Sequence, residues 1–269
     1  MMIYDVWNYN GEPIAGARID LLAAAPGGPP GASLGVDKFV VVEGRYTFAG
    51  RRKDRLFVED APFRNRPDVE VVVVEDYVPG GAWANETHQR NAGGEAFIRL
   101  STSRDDLGIF SDADEVPARD FLETLRRFTG PGNDVLWYAQ DFFYYNFGWR
   151  KQQPWPPHGF GATPATARAA TTQRLRTYGN KQYVHSGWHA SYFETPERIS
   201  DKIQSFSHTE LNVPKFTDAA RIRERIASGK DLFDRPGEDC VAVPYTALEA
   251  LPSVMRTFNN HLTRKQSMG

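Results

Sequence analysis

The sequence predicts an α/β fold built on a mainly parallel sheet flanked by helices, in one large domain or two small ones. Two observations carry this. Continuous apolar runs recur at residues 39–42, 69–74 and 107–110, the pattern of strands buried on both faces. Between them lie segments with helical spacing, one at 86–100 and one after Pro117, where Phe121, Leu122, Leu125 and Phe128 share a face. Strands alternating with helices are the sequence form of βαβ units. The chain has 269 residues, enough for a sizeable core.

The elements follow in order. Residues 2–9 read as a first strand, because Ile3, Val6 and Trp7 favour extended backbone. Ile14, Ala17, Arg18, Leu21 and Leu22 follow with helical spacing, and the Gly/Pro-rich stretch 26–35 is a loop. The alternation of apolar runs and helices then fills residues up to 130. Residues 131–250 differ in character. The stretch 134–149 is aromatic-rich and extended, 154–161 is a loop carrying Trp155 and His158, and 163–178 is helical. A strand is expected at 183–193, a short helix at 196–206, and a helix at 218–228 with Ile222 and Ile226 inward. The tail 251–269 is weakly patterned.

Composition sets limits. The chain is 41% hydrophobic and 25% charged, ordinary for a globular protein, and its net charge of −2 gives no electrostatic case for nucleic acid. Cys240 is the only cysteine, which excludes an intrachain disulfide and a zinc site built on several thiolates. No basic region followed by an apolar run marks a signal peptide, and no apolar stretch is long enough to span a bilayer, so the expected location is cytoplasmic.

Three clusters can carry chemistry. Asp112, Asp114 and Glu115 follow the apolar run 107–110, and ligands of open α/β sheets bind at the carboxyl ends of the strands. Carboxylates are hard ligands suited to Mg²⁺ or Mn²⁺. The same residues, just before Pro117, would also serve as the N-terminal cap of the next helix, and both readings stand at this point. His208 and Glu210 flank Thr209 after a helix, where an imidazole could add a ligand and a carboxylate could accept a proton, or both could belong to a surface loop. Gly187-Trp188-His189 lies in an apolar strand, where Trp188 suits core packing and Gly187 could mark a close backbone approach to a ligand.

Together these clusters resemble the glycosyltransferases related to the β-1,4-mannosyl-glycoprotein 4-β-N-acetylglucosaminyltransferase, family 17. The resemblance runs from Tyr4 to about Pro244. It is carried by Val36-Asp37-Lys38-Phe39-Val40-Val41-Val42-Glu43, by Thr47 with Gly50-Arg51-Arg52-Lys53, and by Trp83, Glu86, Gln89 and Arg90. It continues in Ser111-Asp112-Ala113-Asp114-Glu115-Val116-Pro117, in Ser186-Gly187-Trp188-His189-Ala190-Ser191-Tyr192-Phe193, and in Lys202 to Glu210. Glu194-Thr195 departs from the family's glycine-rich turn, and 26–35 looks like an insertion.

The resemblance implies a GT-A-like fold in a single domain, with a Rossmann-like nucleotide-sugar-binding half, residues 1–130, and an acceptor-binding half, 131–250. It implies a uridine diphosphate sugar as donor, N-acetylglucosamine being one candidate, a glycan or other hydroxyl as acceptor, and inversion at the anomeric carbon. The metal, Mn²⁺ or Mg²⁺, is expected on Asp112 and Asp114, with His208 closing the coordination shell. Arg90 would offset charge on the diphosphate, Glu43 would bind the nucleoside with Arg51 or Lys53 beside it, and Asp112 would also touch the donor. Glu210 is the expected base, with His189 as the alternative. Two other classes use similar residues: a metal-dependent phosphodiesterase or nucleotidyltransferase, and a carbohydrate-binding protein without catalysis.

Overall fold

The computed structural model describes residues 1–6, 36–61, 63–128, 134–177 and 181–268. The helix expected at 14–22, the loop at 26–35 and the end of the first strand lie outside them. Among the described residues ten strands form one continuous sheet: β1 Met2–Val6, β2 Phe39–Gly44, β3 Val69–Val74, β4 Gly108–Asp112, β5 Glu115–Val116, β6 Val135–Tyr144, β7 Asn146–Arg150, β8 Trp155–Ala162, β9 Tyr183–Ser191 and β10 Val241–Ala242. The helices are α1 Phe57–Asp60, α2 Ala82–Leu100, α3 Arg119–Phe128, α4 Pro164–Ala169, α5 Thr172–Thr177, α6 Pro196–Ser205, α7 Pro214–Thr217, α8 Ala219–Ser228, α9 Tyr245–Glu249 and α10 Ser253–Met268.

The strand order is β10-β7-β6-β8-β4-β1-β2-β3, with β9 paired to both β6 and β5. The N-terminal half matches the expectation: β3, β2, β1 and β4 run parallel. The expectation of a mainly parallel sheet fails beyond β4. There β8 is antiparallel to β4 and β6, β7 to β6 and β10, and β5 to β9, leaving β6–β9 as the parallel pair of that half. The connections are the reason. Parallel neighbours need a long crossover, whereas β6 turns into β7 through Tyr145 alone, at φ 69°, and so short a link permits only antiparallel pairing.

Strand β2 shows why the first half reads so clearly. All six of its residues are buried. Phe39 and Val41 face a core with Phe121, Leu125 and Tyr138, while Val40 and Val42 face another with Phe97, Phe110 and Phe160. Burial on both faces removes any need for polar residues in the strand.

Three further expectations are corrected. Residues 154–161 form strand β8, not a loop. Pro156 and Pro157 fall where the β6–β8 register shifts between Tyr138 and Gln140, so their missing N–H groups cost no ladder bond. The helical stretch 163–178 is two short helices, α4 and α5. The weakly patterned tail holds helix α10, anchored by buried Met255 and Leu262 and by the Gln266 amide donating to the carbonyls of Tyr145 and Glu194. Tertiary packing stabilises that helix where its own periodicity is faint.

Candidate functional site

Strand β4 carries the acidic run to the carboxyl end of the parallel strands, beside the end of β1, where Asp5 and Asp112 are Cα partners. Ala113 and Asp114 form the turn and Glu115 begins β5. Neither acid caps α3, which begins at Arg119. The turn is held by β9: Glu115 pairs with His189, and the Ala190 N–H donates to the Asp114 carbonyl at 2.8 Å. Gly187 makes a close approach, but to the chain itself. At φ 91° a Cβ there would lie 2.1 Å from the Val116 carbonyl oxygen, so only glycine lets β9 lie against β5.

Beneath the turn lies a buried network of carboxylates and guanidinium groups. Arg90 donates to both Asp112 oxygens at 3.0–3.3 Å, pairs with Glu86 and reaches Gln173 at 3.0 Å. Arg176 donates to Asp112 Oδ2 at 2.6 Å and to the two Glu115 oxygens at 2.7 and 3.0 Å. The Asp112 N–H and the Trp155 indole N–H, each at 2.9 Å, also donate to Glu115. Burial pushes the Asp112 carboxyl up to about 6 despite Arg176 and Arg90. Burial acts on Glu115 in the same direction, yet the charge and hydrogen bonds of Arg176 outweigh it and hold that carboxyl below its ordinary range. Buried charges persist only when paired in this way.

Asp114 faces outward from this network. Lys202 of α6 lies 3.2 Å from its Oδ2, and His189 Nδ1 lies 3.8 Å from its Oδ1. His189 is buried and stacks on Trp155, with centroids 4.0 Å apart and planes 3° from parallel.

The other expected residues fall elsewhere. Glu43 is fully buried and takes Lys53 at 2.5 Å and the N–H groups of Phe57 and Val58 at 3.1 and 3.0 Å, so it fixes the segment leading into α1. Arg51 is exposed and reaches the Ser205 hydroxyl at 3.3 Å. His208 Nδ1 lies 2.8 Å from Glu210 Oε1, both side chains are largely exposed, and the His208 ring stands edge-on to Trp83 at 4.7 Å. Among the described residues no three His, Cys, Asp or Glu side chains gather closely enough to hold an ion by themselves, so His208 is not brought to Asp112 and Asp114.

Arg176, Lys202 and Trp155 escaped the sequence reading as site residues. Arg176 sits in a six-residue helix with nothing local to distinguish it from a surface arginine. Trp155 lies in a strand that reads as a loop. Lys202 sits in the segment leading to His208 and Glu210, which carry its more distinctive side chains.

The profile of glycosyltransferase family 17 matches residues 33–243. Among solved structures, the chain is similar to 4-diphosphocytidyl-2C-methyl-D-erythritol synthase from Anaerococcus prevotii, at 10% identity over 69% of this chain and 87% of that one, with a TM-score of 0.37. It is also similar to 2-C-methyl-D-erythritol 4-phosphate cytidylyltransferase from Francisella tularensis, at 10% identity over 69% and 89%, with a TM-score of 0.34. No curated protein matches the chain. Among the described residues no helix is long and apolar enough to cross a membrane.

Proposed function

The chain belongs to glycosyltransferase family 17 and is a glycosyltransferase; from this premise we propose that it moves a sugar from a uridine diphosphate donor, N-acetylglucosamine being the first candidate, to a hydroxyl of a glycan acceptor at the Asp112–Glu115 turn. The observation that supports this reading is the concentration of charge there. Three cations, Arg90, Arg176 and Lys202, lie at ion-pair distance from the three acids of the turn. Expelling a diphosphate needs fixed positive charge where the leaving group develops negative charge.

A divalent ion fits the turn through Asp114. Such ions take one or two carboxylates and complete their shells with substrate phosphates and water, so an all-protein cage is not required. Bound there, the ion would supply further charge against the departing diphosphate. Asp112, saturated by two guanidinium groups, would position Arg90 and Arg176 behind it. His208 stands on Trp83 and Glu210, outside this ligand set. As the acceptor oxygen bonds to the anomeric carbon and the bond to the β-phosphate breaks, the hydroxyl proton goes to a base. His189, whose Nδ1 lies 3.8 Å from Asp114, would take that proton; Glu210 would require the acceptor at the Trp83 side.

A second reading has its own observation. Lys202 already occupies Asp114 Oδ2 and, the most exposed of the three cations, could itself meet the diphosphate without an ion. Release of nucleoside diphosphate from uridine and guanosine diphosphate sugars, with Mn²⁺, Mg²⁺ or chelator, separates the readings. Uridine-selective turnover abolished by chelator and by Asp114→Asn is expected. Turnover that survives chelation selects the cation-only reading. No turnover of any nucleotide sugar rejects both.

A further inference from the structure

Helix α2 links the acidic turn to a second feature. Trp83, Glu86 and Arg90 are spaced i, i+3, i+7 and share one face of the helix. Arg90 ends that stripe on Asp112, and Trp83 begins it as a half-exposed ring, at 49%. Its partner comes from the end of α6. His208 meets Trp83 with planes at 86°, so the two rings form a right-angled corner.

The corner is braced. The Ser207 hydroxyl donates to Glu86, next to Trp83 on the same helix face. Glu210 holds the His208 ring through Nδ1 at 2.8 Å. Buried Phe206 packs behind His208 at 5.7 Å. Helix α6 also runs back to the acidic turn, because Lys202 reaches Asp114. Two separate elements therefore connect the same two points. Along α2 the rise of seven steps from Trp83 to Arg90, which lies beneath the acidic turn, is about 10 Å. An extended nucleoside diphosphate covers that span between its base and its outer phosphate.

We infer that the Trp83–His208 corner is the nucleobase subsite: the base stacks on one ring and turns its edge to the face of the other, while the diphosphate points along α6 toward Lys202 and the Asp114 turn. This rests on the nucleotide-sugar reading above and assigns the part of the ligand that reading leaves unplaced. The corner stands on the side where nucleotides bind in open α/β sheets, because α2 follows the carboxyl end of β3 and the Ala49–Arg51 loop after β2 touches Ser205. Aromatic stacking with a base is strong enough to measure by substitution.

The test is calorimetric titration of uridine diphosphate with Mn²⁺ into the full chain, together with tryptophan fluorescence. Wild type should bind, Trp83→Ala should bind about tenfold or more weakly with unchanged thermal unfolding, and Trp83→Phe should keep most of the affinity. Nucleotide-induced quenching should shrink in Trp83→Phe. Should Trp83→Ala fail to fold, His208→Ala on its exposed turn carries the same test, with weaker binding expected. Equal affinity in the variants that fold overturns the subsite while leaving the donor reading intact. Quenching by free N-acetylglucosamine and not by uridine also overturns it. Wild type that binds no nucleotide removes the donor reading and the subsite together.

Discussion

Asp112-Ala113-Asp114-Glu115 and His208-Thr209-Glu210 look alike on paper. Each is a short run of proton- and metal-competent side chains following a structured segment. The fold treats them in opposite ways. The Asp112 and Glu115 side chains are 6% and 0% exposed and share Arg176, with Arg90 on Asp112 as well, whereas those of His208 and Glu210 are 47% and 64% exposed and pair with each other, His208 lying against Trp83 and Phe206. The first run is a charge network that must stay paired to exist inside the protein. The second is a surface corner whose members can change at little cost. Residue type set what each run could do, and the neighbours decided what it does.

The contrast breaks most readily at Arg176. Arg176→Met should cost about 3–5 kcal/mol in urea unfolding, because it leaves Asp112 and Glu115 buried with Arg90 as the remaining guanidinium. A loss below about 1 kcal/mol would mean that water reaches the network and that its burial is not what pairs it.

Next in size is turnover. His189→Gln should lower kcat by about 10²-fold or more with an intact fold, while Glu210→Gln should leave kcat nearly unchanged. The reverse order would move the base to the exposed corner and exchange the roles of the two runs.

Acid stability gives a smaller effect. His158 lies against the network on β8, and burial, with Arg176 second, lowers its pKa to about 4 from 6.5. The folded pKa is depressed, so the unfolded chain takes up the proton first as pH falls. The stabilisation from neutral His158 is complete above the unfolded value and is lost between about pH 6.5 and 4. It should amount to about 2 kcal/mol between neutrality and about pH 5. The stability difference between wild type and His158→Gln should change by that amount over this range, against the opposing slope from the raised Asp112 carboxyl; a difference independent of pH would assign the dependence to other groups.

The smallest effect belongs to the corner. Glu210→Gln should shift unfolding by no more than about 0.5 kcal/mol, because an exposed pair is screened and flexible. A shift several times larger would show that the His208–Glu210 contact braces more than one ring.

The parallel half of the fold was legible because burial on both faces forces continuous apolar runs. Phe39-Val40-Val41-Val42 could hardly be anything but an inner strand. The second half was less so. Trp155-Pro156-Pro157-His158-Gly159 reads as a loop by every local rule, and only a register shift in β6 makes room for its prolines within a sheet. Helix α10 has little periodicity of its own and is held by Gln266 and a few buried apolar side chains.

The acidic turn followed the same division. Its position at the end of an apolar run was written in the chain, and so was the family pattern around it. That Asp112 would be closed off by Arg90 and Arg176, while Asp114 faced Lys202 and His189, was not. Arg176 lies 64 positions from Asp112 and Lys202 lies 88 from Asp114. Local sequence fixes backbone preference and which faces must be buried, since those depend on neighbouring residues and solvent. The pairing of charges depends on which distant side chains the sheet order brings within a few ångströms, and that is decided only when the strands have met.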